Sequence, residues 1–133
     1  MNKLAFTGFP SPAEDYQRPA LSLDGLIIRF PLQTVFCRYY GNAMAGSGIH
    51  HGDLLVVERQ MEYRPGQIVL AFYNSDRIIR LLEESPDGLA LCPTSPNHKI
   101  IPVTEYIEIF GRVTHSITSH LKVKLLDEMM EAS

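Results

Sequence analysis

The fold is decided by residues 67–82, which read QIVLAFYNSDRIIRLL. Two runs of β-branched, aromatic and other apolar residues flank the turn-forming triplet Asn74-Ser75-Asp76. Because so short a turn separates the two runs, they predict an antiparallel β-hairpin.

Short runs of the same kind recur on both sides of this hairpin, each bounded by glycine, proline or charged residues. They are Leu26–Phe30, Thr34–Tyr40, Leu54–Val57, Leu89–Cys92, Ile100–Val103 and Tyr106–Val113. Many short strands with regularly spaced turns are typical of an all-β barrel or folded sheet and not of a parallel α/β fold. We therefore predict a mainly β domain over residues 26–117.

The two ends of the chain differ from this pattern. Residues 1–25 contain Pro10, Pro12 and Pro19, which disfavour helix, so they predict an extended N-terminal arm. Leucine and methionine recur at helical spacing over residues 119–131, with Ser119 as a possible N-cap. We therefore predict a C-terminal helical extension over residues 118–133.

Composition limits the class of protein. The chain has 133 residues, a net charge of −3 and 45% hydrophobic residues, which is typical of one globular domain. No apolar run reaches the ~20 residues of a membrane helix, and the start does not resemble a signal peptide. The two cysteines, Cys37 and Cys92, fit a reducing compartment, so we expect a cytoplasmic protein. The acidic balance argues against direct nucleic-acid binding, which needs clustered lysine and arginine.

Residues 41–53, GNAMAGSGIHHGD, contain four glycines between two predicted strands. Such a stretch fits a long connection, which composition alone favours, and also an active-site turn whose amides approach a reacting carbonyl. His50, His51 and Asp53 do not predict a metal site, because adjacent residues of an extended segment face opposite sides. Ser47 and Ser95 are predicted to be turn residues, since the sequence pairs neither of them with a base.

Several segments together resemble the LexA/UmuD family of self-cleaving serine-lysine peptidases, and its UmuD-like members most closely. They are the arm GFPSPAEDY at 8–16, the loop GNAM at 41–44, GDLLVV at 52–57, IIRLL at 78–82 and FGRV at 110–113. The resemblance runs from residue 8 to about residue 115. It implies a folded β-sheet domain with an extended arm, a homodimer and no cofactor.

The resemblance also assigns the site residues. A family serine attacks the chain's own arm after a lysine of lowered pKa removes its proton. The serine position falls on Ala43, the lysine position on Arg80, and the oxyanion loop on Gly41, Asn42 and Met44. The cleavable bond corresponds to Thr7-Gly8, with only residues 1–7 before it. Alanine has no nucleophile, and arginine, with a pKa above about 12, is no base near neutrality, so we expect no self-cleavage.

Three functions follow from the resemblance. The first is a UmuD-like accessory protein of the SOS response that acts in error-prone translesion synthesis by binding a polymerase catalytic subunit and the RecA filament. The second is an active autopeptidase whose dyad was replaced by engineered Ala43 and Arg80. The third is a regulatory domain of the LexA or phage-repressor type without DNA-binding helices. We favour the first, with natural loss of the dyad and without direct contact to nucleic acid or membrane.

Overall fold

The computed structural model of the chain describes residues 22–121 and 129–133, and the fold is mainly β, as predicted. Helix α1 spans Leu23–Ile27, and two single turns of 3₁₀ helix span Pro31–Gln33 and Ala45–Ser47. The strands are β1 Thr34–Tyr39, β2 Leu54–Glu58, β3 Ile68–Tyr73, β4 Asp76–Ser85, β5 Gly88–Cys92, β6 Ile101–Pro102, β7 Glu108–Ile117 and β8 Met130–Ala132. They form one mixed sheet in the order β6-β5-β4-β3-β7-β2-β1-β8.

The predicted hairpin is confirmed as β3 and β4, which pair antiparallel from Ile68 opposite Leu81 to Tyr73 opposite Asp76. The two turn residues, Asn74 and Ser75, have φ values of 50° and 68°. Positive φ at both central positions is the geometry of a type I′ turn, whose twist matches that of the paired strands.

The hairpin is buried on both faces, which explains its nearly continuous apolar sequence. Leu70 and Ile79 belong to a core cluster with residues of β1, β2 and the glycine-rich loop. Val69, Ala71 and Ile78 point to the opposite face and pack in a second cluster with residues of β5 and β6. The period of two along a strand divides the apolar residues between these clusters.

The sheet curls towards a barrel, because the residue that follows its last strand reaches β4. Strand β8 pairs in parallel with β1, and all other strand pairs are antiparallel. The amide of Ser133 donates to the carbonyl of Arg77 at 3.0 Å, and the amide of Ile79 donates to the carbonyl of Ser133 at 2.8 Å. Residues 130–133 therefore lie between β1 and β4.

The prediction for Leu26–Phe30 as a strand was wrong, and so was that for an extended conformation up to residue 25. Helix α1 occupies Leu23–Ile27, and the Ser22 hydroxyl caps it by accepting from the Gly25 amide at 2.9 Å. Leu23 and Ile27, four residues apart, line an apolar groove together with Phe36 of β1. Helical spacing places both side chains on one face. A short apolar run by itself fits a helix and a strand equally well, so the sequence did not distinguish them. The rest of the predicted arm, residues 1–21, lies outside the described residues.

The C-terminal helix prediction was wrong at its described ends. Residues 119–121 are not helical, and Met130–Ala132 form β8; residues 122–128 lie outside the described residues. Met130 is partly buried and Ala132 is buried, while Glu131 between them is exposed. This alternation of buried and exposed side chains is that of a strand paired with β1. A helix in its place would have Glu128 and Glu131 near its C-terminal end, where negative charge opposes the helix dipole. The longest helix in the described ranges has five residues, and none there could cross a membrane.

Candidate functional site

The glycine-rich loop of residues 41–53 is held by a set of hydrogen bonds. The Gly52 amide donates to the Tyr39 carbonyl at 2.6 Å, and the Gly41 amide donates to Nδ1 of His51 at 3.1 Å. Buried Asp53 accepts from the His50 amide at 2.8 Å and from the Thr118 hydroxyl at 2.6 Å. His51 and Asp53 thus orient the loop, so it is more than a flexible connection.

The middle of the loop is docked against residues 94–98, which follow β5. The Ala43 carbonyl accepts from the Thr94 amide at 2.8 Å, and Oδ1 of Asn42 lies 2.9 Å from Nε2 of His98. A Cβ on Gly46 would come within 1.9 Å of the Thr94 carbonyl oxygen, so only glycine fits there. Ser47 donates its hydroxyl hydrogen to Thr94 at 3.0 Å, and Ser95 accepts from the Gly46 amide at 3.3 Å. Both serines therefore make hydrogen bonds between the loop and residues 94–98.

At the predicted serine position, the Ala43 side chain is a buried methyl group, 3% exposed. The adjacent Met44 is fully buried in the core cluster, with its Sδ atom 3.9 Å from the Thr94 hydroxyl. A methyl group has no lone pair, so position 43 supplies no nucleophile. Thr7 and Gly8, the predicted cleavage site, lie outside the described residues.

Arg80 lies in β4 opposite Val69 and is partly buried. Its Nη1 donates to the carbonyls of Ile79 at 2.7 Å and Ser133 at 3.1 Å. Burial lowers the pKa of Arg80 from its ordinary value, and the nearby Tyr39 hydroxyl partly offsets that effect. The guanidinium is a hydrogen-bond donor to two carbonyls, and it has no free electron pair for a proton while it stays charged.

Two residues near Arg80, Tyr39 and Ser133, were not predicted from the sequence to belong to the site. The Tyr39 hydroxyl is buried without a hydrogen-bond partner among the described residues, 3.2 Å from where a Cβ on Gly41 would lie. The same Gly41 position is 3.6 Å from the Cα of Ser133. Tyr39 could have been noticed because it lies just before the glycine-rich loop, but the sequence has no signal that brings Ser133 to it.

Tyr39 and Ser133 lie between Arg80 and Gly41, the first residue of the loop. Ala43 is instead hydrogen-bonded to Thr94. The arrangement offers backbone hydrogen-bond donors and acceptors, a charged donor and close packing. The side chain at position 43 has no nucleophilic atom, and the one at position 80 is a charged hydrogen-bond donor.

Comparison with known proteins gives consistent matches over most of the chain. The family described as Peptidase S24-like matches residues 3–114. Protein MucA of Salmonella typhimurium is 37% identical over 115 residues, which cover 85% of this chain and 79% of MucA. Protein SamA of Salmonella typhimurium strain LT2 is 38% identical over 107 residues, covering 80% of this chain and 75% of SamA. Protein ImpA of Escherichia coli is 40% identical over 111 residues, covering 83% of this chain and 76% of ImpA.

Proposed function

The chain belongs to the Peptidase S24-like family as one of its UmuD-like members, and from this premise we propose that it is a non-cleaving accessory protein of SOS mutagenesis. It supports error-prone translesion synthesis by binding other proteins. Its partners are a second copy of the chain, the catalytic subunit of an error-prone polymerase and the RecA filament.

One observation carries the non-cleaving part of the proposal: both dyad positions hold residues that bind or pack. Ala43 places a methyl group in a buried position, and Arg80 donates to two backbone carbonyls. To remove a proton near neutrality, arginine would have to stay uncharged, which costs on the order of 7 kcal/mol at about 1.36 kcal/mol per pKa unit. Neither half of the reaction is available.

An exposed apolar strip supports the binding part. Phe30 and Met61 line one surface groove beyond the end of β2, Phe30 and Leu32 line an adjoining one, and Leu32 and Met61 are almost fully exposed. Large exposed apolar side chains that lie together mark protein-binding surfaces in many proteins. We place partner binding on this strip.

Mass spectrometry of the purified protein tests the loss of cleavage. After prolonged incubation at alkaline pH, the mass should stay unchanged. The double variant Ala43→Ser with Arg80→Lys restores a nucleophile and a base, and it should be cut between Thr7 and Gly8. Each single variant is the control and should stay intact. Specific cleavage of the unchanged protein would refute the proposal, and serine and lysine codons in the native gene would mean that the dyad had been replaced.

A binding experiment tests the accessory role. The immobilised protein is mixed with a polymerase catalytic subunit and, separately, with RecA filaments. Leu32→Glu with Met61→Glu should weaken at least one complex by about tenfold or more, because charged groups would be placed in an apolar contact. Ile100→Glu changes another exposed apolar residue outside the strip and is the matched control. If neither partner binds the unchanged protein, the accessory role is wrong.

A further inference from the structure

Strand β8 fills a cleft that would otherwise separate β1 from β4. On one side, Met130–Ala132 pair in parallel with Cys37–Tyr39, and the Tyr40 amide donates to the Ala132 carbonyl at 2.8 Å. On the other side, Ser133 exchanges two hydrogen bonds with the backbone of Arg77 and Ile79. A four-residue segment thus bonds to two strands that are not paired with each other.

The side chains of the segment suit this cleft. Ala132 is 4% exposed and packs in the core cluster with Tyr39 and Ile79. Met130 packs at the edge of the same cluster, and Glu131 is exposed. Main-chain hydrogen bonds supply affinity in strand addition, and alternate side chains supply specificity, so the segment has the properties of a bound extended peptide.

Arg80 contacts the segment at the position where the family has its base. Its Nη1 lies 3.1 Å from the Ser133 carbonyl oxygen, and Ser133 also packs beside Gly41, the first residue of the glycine-rich loop. A lysine ammonium is a flexible point charge, whereas arginine holds its N–H donors in a fixed plane, and here Nη1 alone donates to two carbonyl oxygens. The replacement of the base therefore fits a binding role at this position.

We propose that residues 130–133 of this chain act as a displaceable peptide ligand of the cleft between β1 and β4, and that Arg80 anchors this ligand through the Ser133 carbonyl. The site recognises peptide backbone, a small residue at position 132 and a carbonyl at position 133. This inference does not depend on the accessory role, because it concerns only contacts within the chain.

Peptide exchange tests the site in the full-length protein. Ala132→Asp puts a charge in the apolar cluster and should release the segment from the cleft. A fluorescent peptide of residues 126–133, LDEMMEAS, amidated so that Ser133 presents a carbonyl, should then bind about tenfold more tightly than it binds the unchanged protein. Glu131→Gln alters an exposed residue of the same strand and is the matched control, which should bind no better than the unchanged protein. A peptide with the Ala132→Asp change should not bind.

The anchor is tested in the same background and by a second measurement. Adding Arg80→Gln to Ala132→Asp should weaken peptide binding by about tenfold, since a hydrogen bond from a charged group is lost. Hydrogen exchange covers the case in which Ala132→Asp does not fold. In the single variant Arg80→Gln, the Tyr40 and Ile79 amides should exchange about tenfold faster, while the Leu82 amide, which donates to Gln67, should keep its rate. A folded Ala132→Asp protein that does not bind the peptide, or unchanged exchange at Tyr40 and Ile79, would overturn the proposal.

Discussion

Ala43 and Arg80, which we predict to occupy the family's dyad positions, determine the kind of interaction that this site can make. A serine and a lysine exchange a proton, whereas Ala43 packs and Arg80 donates hydrogen bonds to carbonyls. Burial lowers the pKa of Arg80, but arginine starts so far above neutrality that the guanidinium remains charged. A buried charge needs partners, and the carbonyl of Ser133 is one of them.

Cys37 gives a prediction at the scale of one residue. It is fully buried where β1 meets β8, and burial, together with Glu131, raises the pKa of its thiol to about 11, although Arg77 opposes the shift. Since the thiolate is the reactive form, Cys37 should react slowly with Ellman's reagent near pH 8. The variant Cys92→Ser isolates this thiol, and its reaction should become fast in denaturing guanidinium. Equally fast reaction of the folded and unfolded protein would contradict the prediction.

Among the elements, the β3–β4 turn offers a stabilising change. Ser75 has a φ of 68°, a conformation that costs a residue with a Cβ about 1–2 kcal/mol and costs glycine little. Ser75→Gly would create the Asn-Gly pair that type I′ turns prefer, so the free energy of unfolding should rise by about 0.5–1 kcal/mol. Urea denaturation measures the change. Glu84→Gly, at an exposed position within β4, is the control and should lower stability; a loss in both variants would contradict the assignment.

Elements whose pairing is local could be predicted from the sequence. The β3–β4 hairpin follows from two apolar runs and a short turn, and the glycine-rich loop was located by its composition. Residues 130–132 could not be predicted, because Met130 and Ala132 have the spacing of a strand and, with Leu126 and Met129, also that of a helix. Their partner, β1, lies more than ninety residues earlier in the chain, and local periodicity contains no information about it.

The site was predictable only in part, for the same reason. The resemblance to the family singles out Ala43 and Arg80, and that assignment stays a prediction. The contact of Arg80 with Ser133 depends on how the sheet curls. The error at Leu26–Phe30 is similar, since the choice between helix and strand is decided by the Ser22 cap and by the groove beside Phe36. Where the local sequence fits both a helix and a strand, contacts between distant parts of the chain decide which of the two forms.

For the whole molecule, two contacts attach the ends of the described chain to the sheet. Residues 130–133 join β1 to β4 at one edge. At the start, Arg29 follows α1 and holds the buried carboxylate of Glu58, with Nη2 at 2.6 Å from Oε1 and Nε at 3.2 Å from Oε2. Glu58 is the last residue of β2 and lies opposite Thr34 of β1 and Arg112 of β7 in the sheet. The ion pair therefore links the segment after α1 to an inner strand.

This ion pair predicts how stability depends on pH. Burial raises the pKa of Glu58, but hydrogen bonds from Arg29 and Gln60 and the charges of Arg29 and Arg112 outweigh burial, so the net pKa lies below 4.5. A lowered pKa in the folded state contributes stability above the unfolded pKa, and this contribution is lost as pH falls through the folded pKa. Acid should therefore unfold the protein partly through protonation of Glu58.

The variant Arg29→Gln isolates this contribution, because it removes the charge and keeps a polar side chain of similar length. Its urea midpoint should lie clearly below that of the unchanged protein at pH 7. The difference should shrink steadily as pH falls below the ordinary pKa of glutamate, about 4.3, and then through the lowered folded-state pKa of Glu58, below which the carboxyl is neutral in both proteins. Arg64→Gln removes an exposed charge from the β2–β3 connection, and it should change the midpoint little at any pH. A difference between Arg29→Gln and the unchanged protein that stays constant across this range would show that the pair acts through packing instead of charge.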